Sequence, residues 1–391
     1  MALTLSRTTE PAGIARHAHD EAAAPGRPAR RFLSELEDQP AFGHITPNWF
    51  ASVMGTGIVA NAAATLPVHS PVLLDAARVV WVLDVVLLVV VSAATAAHWV
   101  RHPARARAHL ANPVMSHFYG APAMALMTVG AGAMLVGRPL IGDTAALALD
   151  AVLWSAGTLV GLWTAVAVPF RAFTDHDVKP DSAFGGWLMP VVPPMVSAAT
   201  GTLLIPHLPA GEARTTLLAL CYAMFGLTLL ASLVMITLLW NRLVQHKVGA
   251  AAAVPTLWIV LGPLGQSITA AHNLGEAAPN LLPAPYGTAF HALGLVYGLP
   301  MWGFAMLWAA LALAVTTRTA RSGLPFSLTW WSFTFPVGTV VTGTSGLAAA
   351  TGLHLFTVLA VVFYAALVTA WLVVAVRTLR GTFTGRLLRT A

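Results

Sequence analysis

The chain has 391 residues, of which 57% are hydrophobic and only 9% are charged, and its mean hydropathy is +0.73. Ordinary soluble domains contain about 25% charged residues, so this composition excludes a soluble globular protein and predicts an all-α integral membrane protein. A net charge of +6 would suggest nucleic-acid binding in a soluble protein, but the positions of the basic residues explain it differently below.

The N-terminal residues 1–40 are rich in Ala, Pro, Arg, Glu and His and lack the apolar core of a signal peptide. We therefore expect a disordered cytoplasmic tail there. Residues 41–380 are predicted to form one transmembrane domain, followed by a short cytoplasmic tail at 381–391. The single cysteine, Cys221, excludes an internal disulfide and a cysteine-based metal cluster, and no cofactor is expected.

Apolar stretches of about 20 residues predict ten membrane-spanning helices. They lie at residues 47–66, 72–100, 113–137, 144–172, 183–205, 214–241, 254–275, 288–317, 328–350 and 353–376.

The loops between these spans differ in basic residues. Loops after even-numbered spans hold nine Lys or Arg, whereas loops after odd-numbered spans hold only Arg138 and Arg214. Because short cytoplasmic loops collect Lys and Arg, both termini are predicted to be cytoplasmic in a multi-pass protein of the plasma or inner membrane. The positive charge is thus explained by topology, and no nucleic-acid partner is expected.

The odd-numbered spans share a pattern of helix breakers. Aligning Gly55, Pro122, Pro193, Pro263 and Pro336 gives spacings of 67, 71, 70 and 73 residues. An aromatic residue precedes each breaker by four to six positions, namely Trp49, Phe118, Trp187, Trp258 and Trp331. The spacing predicts five helical hairpins, each with one broken and one smooth helix.

Broken backbone is tolerated at membrane depth only where it is buried in protein or lines a water-filled cavity. The five broken helices are therefore predicted to form an inner ring around a central pore, with the breakers lining it. The five smooth helices are predicted to form an outer ring.

The motifs "NWFASVMGTGIVAN", "LMPVVPPMVSAATG", "GPLGQSITAAHNLG" and "WWSFTFPVGT" occur in this order. They resemble the tellurite-resistance/dicarboxylate transporter family, which includes malate permeases, sulfite efflux pumps and slow-type anion channels. The resemblance covers about residues 42 to 380. It implies ten helices in five quasi-symmetric hairpins, a homotrimer with one pore per protomer, and a phenylalanine that plugs each pore. Phe335 matches the plug position, and Phe333 is the competing assignment.

Every Lys and Arg lies in a loop, in a tail or near the end of a predicted span, so a permeating anion at mid-membrane must be held by neutral donors. Hydroxyl and amide side chains near the breakers are the candidates: Ser52, Thr56, Ser116, Ser197, Thr200, Gln266, Ser267, Thr269, Asn273, Thr334 and Thr339. Backbone bonding or small-residue packing is the alternative for each. The same choice between ion contact and helix packing stays open for the span glycines, such as Gly262 and Gly265.

Ionisable groups inside a membrane are functional candidates because they are expensive there. His117 and His272 lie on predicted inner helices and are candidates for pH sensing. For Asp84, in the middle of an outer span, we favour a structural or proton-linked role, since its charge opposes contact with an anion.

The leading function is transmembrane transport of small anions, either a C4-dicarboxylate such as malate or an oxyanion of the sulfite or tellurite type. The alternatives are a chloride or nitrate channel and an anion sensor that transports nothing. An intramembrane enzyme is disfavoured, because the sequence has no H-E-x-x-H or G-x-S-x-G motif.

Overall fold

The computed structural model describes residues 32–36, 39–40 and 42–389. Within these residues the protein consists of helices and contains no β-strand. Twelve α-helices follow in chain order: α1 Phe50–Thr65, α2 Pro71–Arg101, α3 Pro103–Ala111, α4 Gly120–Gly132, α5 Arg138–Ile141, α6 Asp143–Thr174, α7 Pro193–Thr200, α8 Glu212–His246, α9 Leu261–Ala277, α10 Tyr286–Arg321, α11 Phe335–Thr351 and α12 His354–Phe383.

Seven helical stretches of the described chain are long and apolar enough to cross a membrane. They are Pro71–Arg101, Met115–Ile141, Asp143–Thr174, Glu212–His246, Ala251–Asn280, Tyr286–Arg321 and His354–Phe383. The other three predicted spans contain α1, α7 and α11, which have 16, 8 and 17 residues and are shorter than the roughly 20 that a span needs. The all-α membrane class is confirmed, whereas the count of ten spans stays a prediction.

Each broken segment begins with a short 3₁₀ stretch. These stretches are Pro47–Trp49, Met115–Tyr119, Gly185–Leu188, Ala251–Val260 and Leu328–Phe333. The five aromatic residues that precede the breakers all lie in them, and an α-helix follows each one. The repeat found in the sequence therefore corresponds to a repeated 3₁₀-to-α change in backbone geometry.

The helices that follow these stretches form a closed ring. In chain order α1 contacts α4, α4 contacts α7, α7 contacts α9, α9 contacts α11, and α11 returns to α1. Each ring helix also packs on the long helix of its own hairpin, which is α2, α6, α8, α10 or α12. Burial follows this division, since 14 of the 16 residues of α1 are buried but only 6 of the 31 residues of α2.

The described part of the predicted N-terminal tail contacts the other end of the chain. The backbone N–H of Leu33 donates to the carbonyl of Phe383 at 2.8 Å, and that of Glu35 donates to Thr384 at 2.7 Å. Helix α12 also continues to Phe383, past the predicted domain boundary at residue 380. The two ends therefore meet on one side of the helix ring, while residues 1–31 lie outside the described residues.

A histidine cluster fixes the segment before α1. The ring of His109 lies 5.0 Å from that of His44 and 5.2 Å from that of His98, whose Nδ1 donates to the carbonyl of Phe42. Burial, with smaller effects of His44 and His98, lowers the pKa of His109 from 6.5 to about 4. Because the folded pKa is lowered, this packing is favoured above about pH 6.5 and weakens as the pH falls towards 4.

The predicted orientation can be tested on α8, which runs from Glu212 to His246 and so places Glu212 and Lys247 at opposite ends of one long helix. A cysteine at Glu212 is expected to react with a membrane-impermeant thiol reagent from outside intact cells, and a cysteine at Lys247 only after permeabilisation. The parent chain is the control, because its Cys221 is buried. The opposite labelling pattern would overturn the orientation.

Candidate functional site

The ring encloses two cavities, and all five broken segments contribute to each. The first, which we call the aromatic cavity, measures about 20 Å³ and has room for about one water molecule. Its wall includes Met54, Met124, Val192, Gly262 and Phe335. The second, the polar cavity, measures about 300 Å³. Its polar lining consists of Asn61, Thr65, Thr200, Gln266, Thr269, His272, Asn273, Thr342 and Ser345.

Phe335 lies at the start of α11, with Thr334 as the preceding cap residue and Pro336 directly after it. Proline is tolerated in the first turn of a helix because the N–H that it lacks has no intrahelical partner there. The Phe-Pro pair thus marks a helix start in the ring. The side chain of Phe335 is only 2% exposed, and both Phe335 and Pro336 line the aromatic cavity.

Phe333 has a different environment. Its ring packs edge to face on Trp258 and Trp330, with centroids 5.6 Å away in both cases. It lines a shallow groove together with residues of α12, and it does not belong to the aromatic cavity. The position of Phe335 therefore matches that of a pore plug better than the position of Phe333 does.

Several of the predicted anion-contacting residues line the polar cavity. Three of them do so without pairing with a hydroxyl group of another helix: Thr200, Gln266 and Asn273. Thr200 donates to the carbonyl of Val196, and Asn273 Nδ2 donates to Ala199. No protein hydrogen bond of the Gln266 side chain is found among the described residues. Its amide is therefore available to a molecule in the cavity. Thr269 also lines the cavity, where its hydroxyl pairs with that of Thr342 at 2.7 Å.

The other seven candidates do not line the polar cavity: Ser52, Thr56, Ser116, Ser197, Ser267, Thr334 and Thr339. Some bond their own helix, as Ser52 does to Trp49 and Thr334 to Trp331. Others join neighbouring helices. The hydroxyl of Thr56 accepts from Trp371, that of Ser267 accepts from Tyr297, and that of Ser197 accepts from Thr158.

The remaining two candidates of this group, Thr339 and Ser116, lie at the end of the ring that contains the aromatic cavity. Thr339 donates to the carbonyl of Leu261 and so links α11 to α9. Ser116 is buried, and its hydroxyl oxygen has no hydrogen-bond partner among the described residues.

Of the five breakers, only Pro336 lines a cavity. Gly55 instead gives room to the segment just before α11, because a methyl group added there would overlap Thr334 and Trp331. Pro193 packs against Gly161 of α6. Pro122 and Pro263 line neither cavity. The breakers thus shape the ring, and neighbouring residues form most of its inner surface.

Sequence reasoning did not single out four polar lining residues: Asn61, Thr65, Thr342 and Ser345. A signal was present, because Met54, Ile58, Asn61 and Thr65 are spaced by four, three and four positions. This spacing places them on one face of α1, and each lines one of the two cavities. Following this face of α1 from Met54 at the aromatic cavity would have identified Asn61 and Thr65 at the polar cavity.

The two candidate pH-sensing histidines are in different places. His272 lines the polar cavity, where its ring packs over Gly346. His117 is buried and stacks on Trp187, with ring centroids 6.0 Å apart and nearly parallel planes, and it lines neither cavity. Among these two residues, only His272 is positioned to contact a molecule in the pore.

The wall of the polar cavity contains no Lys, Arg, Asp or Glu. Its donors are hydroxyl groups, side-chain amides and the imidazole of His272. Neutral donors of this kind suit a permeation pathway, because an ion that binds too tightly does not leave. In the described part of the chain no group of three or more His, Cys, Asp or Glu side chains is arranged to hold a metal ion.

A closed ring of broken helices around an uncharged polar cavity, with long apolar helices outside, defines the class of all-α membrane transporters and channels. The chain matches the family described as voltage-dependent anion channel (SLAC1) over residues 44–379. It therefore belongs to this family, as the resemblance in its motifs predicted, and the family comprises anion transporters and channels rather than enzymes.

Several curated proteins are similar to almost the whole chain. A sulfite efflux pump of Arthroderma otae is 30% identical over 355 residues, which cover 89% of this chain and 92% of the pump. A sulfite efflux pump of Trichophyton rubrum is 29% identical over 385 residues, covering 97% of this chain and all of the pump. An uncharacterized transporter of Methanocaldococcus jannaschii is 26% identical over 344 residues, covering 88% and 96%.

Proposed function

We propose that this protein moves small oxyanions of the sulfite type through the centre of its own helix ring, with Phe335 as the gate. The observation that carries the proposal is the polar cavity, which residues of all five ring segments enclose and which no charged side chain lines. The similarity to two sulfite efflux pumps over almost the full chain supports this substrate class. Malate and tellurite are the alternative substrates, and their transport is to be compared with that of sulfite.

The gate assignment is supported by the difference between the cavities. The polar cavity has room for an anion with part of its hydration shell, whereas the aromatic cavity, at about 20 Å³, has room for about one water molecule. An ion that crosses the ring must pass this apolar narrowing. Apolar constrictions in channels block ions both sterically and by excluding water.

The experiment is a flux assay with the purified full-length chain in liposomes. Sulfite, malate, tellurite, nitrate and chloride are offered one at a time, and protein-free liposomes give the background. Protein-dependent sulfite flux is the expected result. Flux of chloride or nitrate alone would instead support the channel named in the family description. Binding without any flux would support a sensor and overturn the proposal.

Gln266 supplies a direct test of the pathway. Gln266→Leu preserves most of the side-chain volume but removes an amide that has no protein partner among the described residues. We expect sulfite flux to fall about tenfold, because a hydrogen bond from a neutral donor to an ion contributes about 1.5 to 3 kcal/mol.

The matched control for Gln266 is Ser52→Ala, since the hydroxyl of Ser52 bonds the carbonyl of Trp49 in its own turn. This variant is expected to transport like the parent. Equal flux in Gln266→Leu and the parent would place the ion pathway away from this side of the polar cavity.

In the remaining features of the proposal, the assembly follows from the family resemblance and the orientation follows from the distribution of Lys and Arg among the loops. The protein is proposed to be a homotrimer with one pore per protomer in the plasma or inner membrane, with both termini in the cytoplasm. Crosslinking in intact membranes tests the assembly. Crosslinked species that extend only to the dimer would contradict the homotrimer.

A further inference from the structure

Two carboxyl groups in the membrane region are completely buried. Asp84 on α2 and Asp150 on α6 each have 0% exposure. None of their four carboxyl oxygens has a hydrogen-bond partner among the described residues. A carboxylate that is buried without partners is costly, and ionisable residues at such positions in membranes are functional candidates by default.

Asp84 fills a space that a glycine leaves open. A methyl group added at Gly57 of α1 would overlap Asp84 Oδ2, and the methyl group of Thr128 from α4 approaches the same point. The carboxyl group therefore lies at the seam between two helices of the inner ring. Asp150 also faces a glycine, but its Oδ1 lies against Gly130 of α4, with Leu153 of its own helix alongside.

Within the described part of the chain, no charged side chain pairs with Asp84. Helices α1 and α4 and residues 133–137, which pack against α2, have no Asp, Glu, Lys, Arg or His. Helix α3 also packs against α2 and carries Arg105, Arg107 and His109, but it does so near His98, about four turns from Asp84. On α2 itself Arg78 pairs with Asp75, His98 bonds the carbonyl of Phe42, and Arg101 at the end of the helix lies over the ring of Phe42. Tyr364 of α12 packs against the hydrophobic cluster that contains Trp81. It is a titratable side chain of the outer ring that lies near Asp84.

The seam at Asp84 is also the wall of the polar cavity. Asn61 of α1 and Ala131 of α4 line that cavity from the two sides of the seam, and Asn61 lies one helical turn after Gly57. The side chain of Asn61 crosses the same seam, where its Nδ2 donates to the carbonyl of Thr128 at 3.0 Å. Its Oδ1 is buried and has no partner among the described residues. A small separation of α1 from α4 would therefore connect Asp84 to the polar cavity.

We propose that Asp84 is a proton-binding site that couples proton movement to anion transport. The carboxyl group takes up a proton from the cavity when the seam opens to one side of the membrane, and it releases the proton when the seam opens to the other side. The protonated form is neutral and can remain buried while the seam is closed. This inference rests on the proposed transport function.

The experiment uses the full-length chain in liposomes, with sulfite as the probe in mildly alkaline buffer and the membrane potential clamped by potassium and valinomycin. Sulfite flux at equal pH is measured first, and sulfite accumulation under a pH gradient second. If one proton moves with each anion, each pH unit drives about tenfold accumulation. In Asp84→Asn we expect sulfite to cross at equal pH without any accumulation driven by the gradient.

Asp150→Asn is the matched control, because it removes a second buried carboxyl group without a partner. It is expected to keep the accumulation. Retained accumulation in Asp84→Asn, or its loss in Asp150→Asn alone, would overturn the assignment to Asp84. Sulfite flux in the parent without any response to the gradient would overturn this inference and leave the proposed function intact. Absence of any protein-dependent sulfite flux would overturn both.

If Asp84→Asn does not fold, a second variant tests whether Asp84 couples proton movement to transport. Gly57→Ala keeps the carboxyl group but forces it out of the seam, since the added methyl group would overlap Asp84 Oδ2. We expect reduced accumulation under the pH gradient, and accumulation equal to that of the parent would contradict the proposal.

Discussion

Phe335→Ala is expected to raise anion conductance about tenfold or more, because the ring of Phe335 lines the aromatic cavity, which is the proposed narrowing of the pathway. The aromatic cavity measures only about 20 Å³ with this ring in place. Removing the ring opens an apolar constriction, and each tenfold rise in rate corresponds to about 1.4 kcal/mol of barrier. Sulfite flux in liposomes, or single-channel current in planar bilayers, measures the effect.

The opposite outcome is equally specific. If Phe335 is a packing residue of the helix ring, its truncation lowers the free energy of unfolding by about 3 to 5 kcal/mol and does not increase conductance. Phe333→Ala is the control, because Phe333 packs on Trp258 and Trp330 outside the aromatic cavity. It is expected to lower stability without opening the pore. A well-folded Phe335→Ala protein that conducts like the parent would refute the gate.

Gly265→Ala is expected to cause the largest loss of stability among single methyl additions on α9. The new methyl carbon would lie 2.5 Å from the backbone carbonyl carbon of Thr339 and 2.5 Å from the backbone nitrogen of Val340. Because these are backbone atoms of α11, the two helices must separate. Overpacking of this kind costs about 1 to 3 kcal/mol and occasionally more. Thermal unfolding in detergent, followed by fluorescence or size-exclusion chromatography, provides the measurement.

Gly262→Ala, one turn earlier, is the matched control. A methyl group added there meets no atom within 4 Å, because Gly262 faces the aromatic cavity. The variant is expected to unfold at the temperature of the parent. If both variants unfold alike, the close contact between α9 and α11 does not contribute to stability as the geometry indicates.

These two glycines show where sequence reasoning reached its limit. Both occur in the motif "GPLGQS", and from the sequence either could approach an ion or another helix. Their positions three residues apart on α9 place them in different surroundings, one at the cavity and one against α11. Only the packing of the second helix distinguishes the two roles.

The hydroxyl residues illustrate the same limit. A serine or threonine near a breaker has the same local sequence signal whether or not it lines the polar cavity. Thr200 lines the polar cavity, whereas Ser52 bonds Trp49 and Ser197 meets Thr158. The choice depends on the rotation of each helix about its axis, which the neighbouring helices set.

The sequence by itself determined the membrane class, the fivefold repeat of helix breakers and the family, because these depend on composition and on motif spacing along the chain. The tertiary structure alone decided which faces of the five broken helices meet, and so placed Gln266 and Asn61 at the polar cavity and Asp84 at the seam between α1 and α4. The physical reason is that a broken helix in a ring is buried on nearly every side. With α1 buried at 14 of its 16 residues, hydrophobic periodicity cannot indicate which side faces the pore.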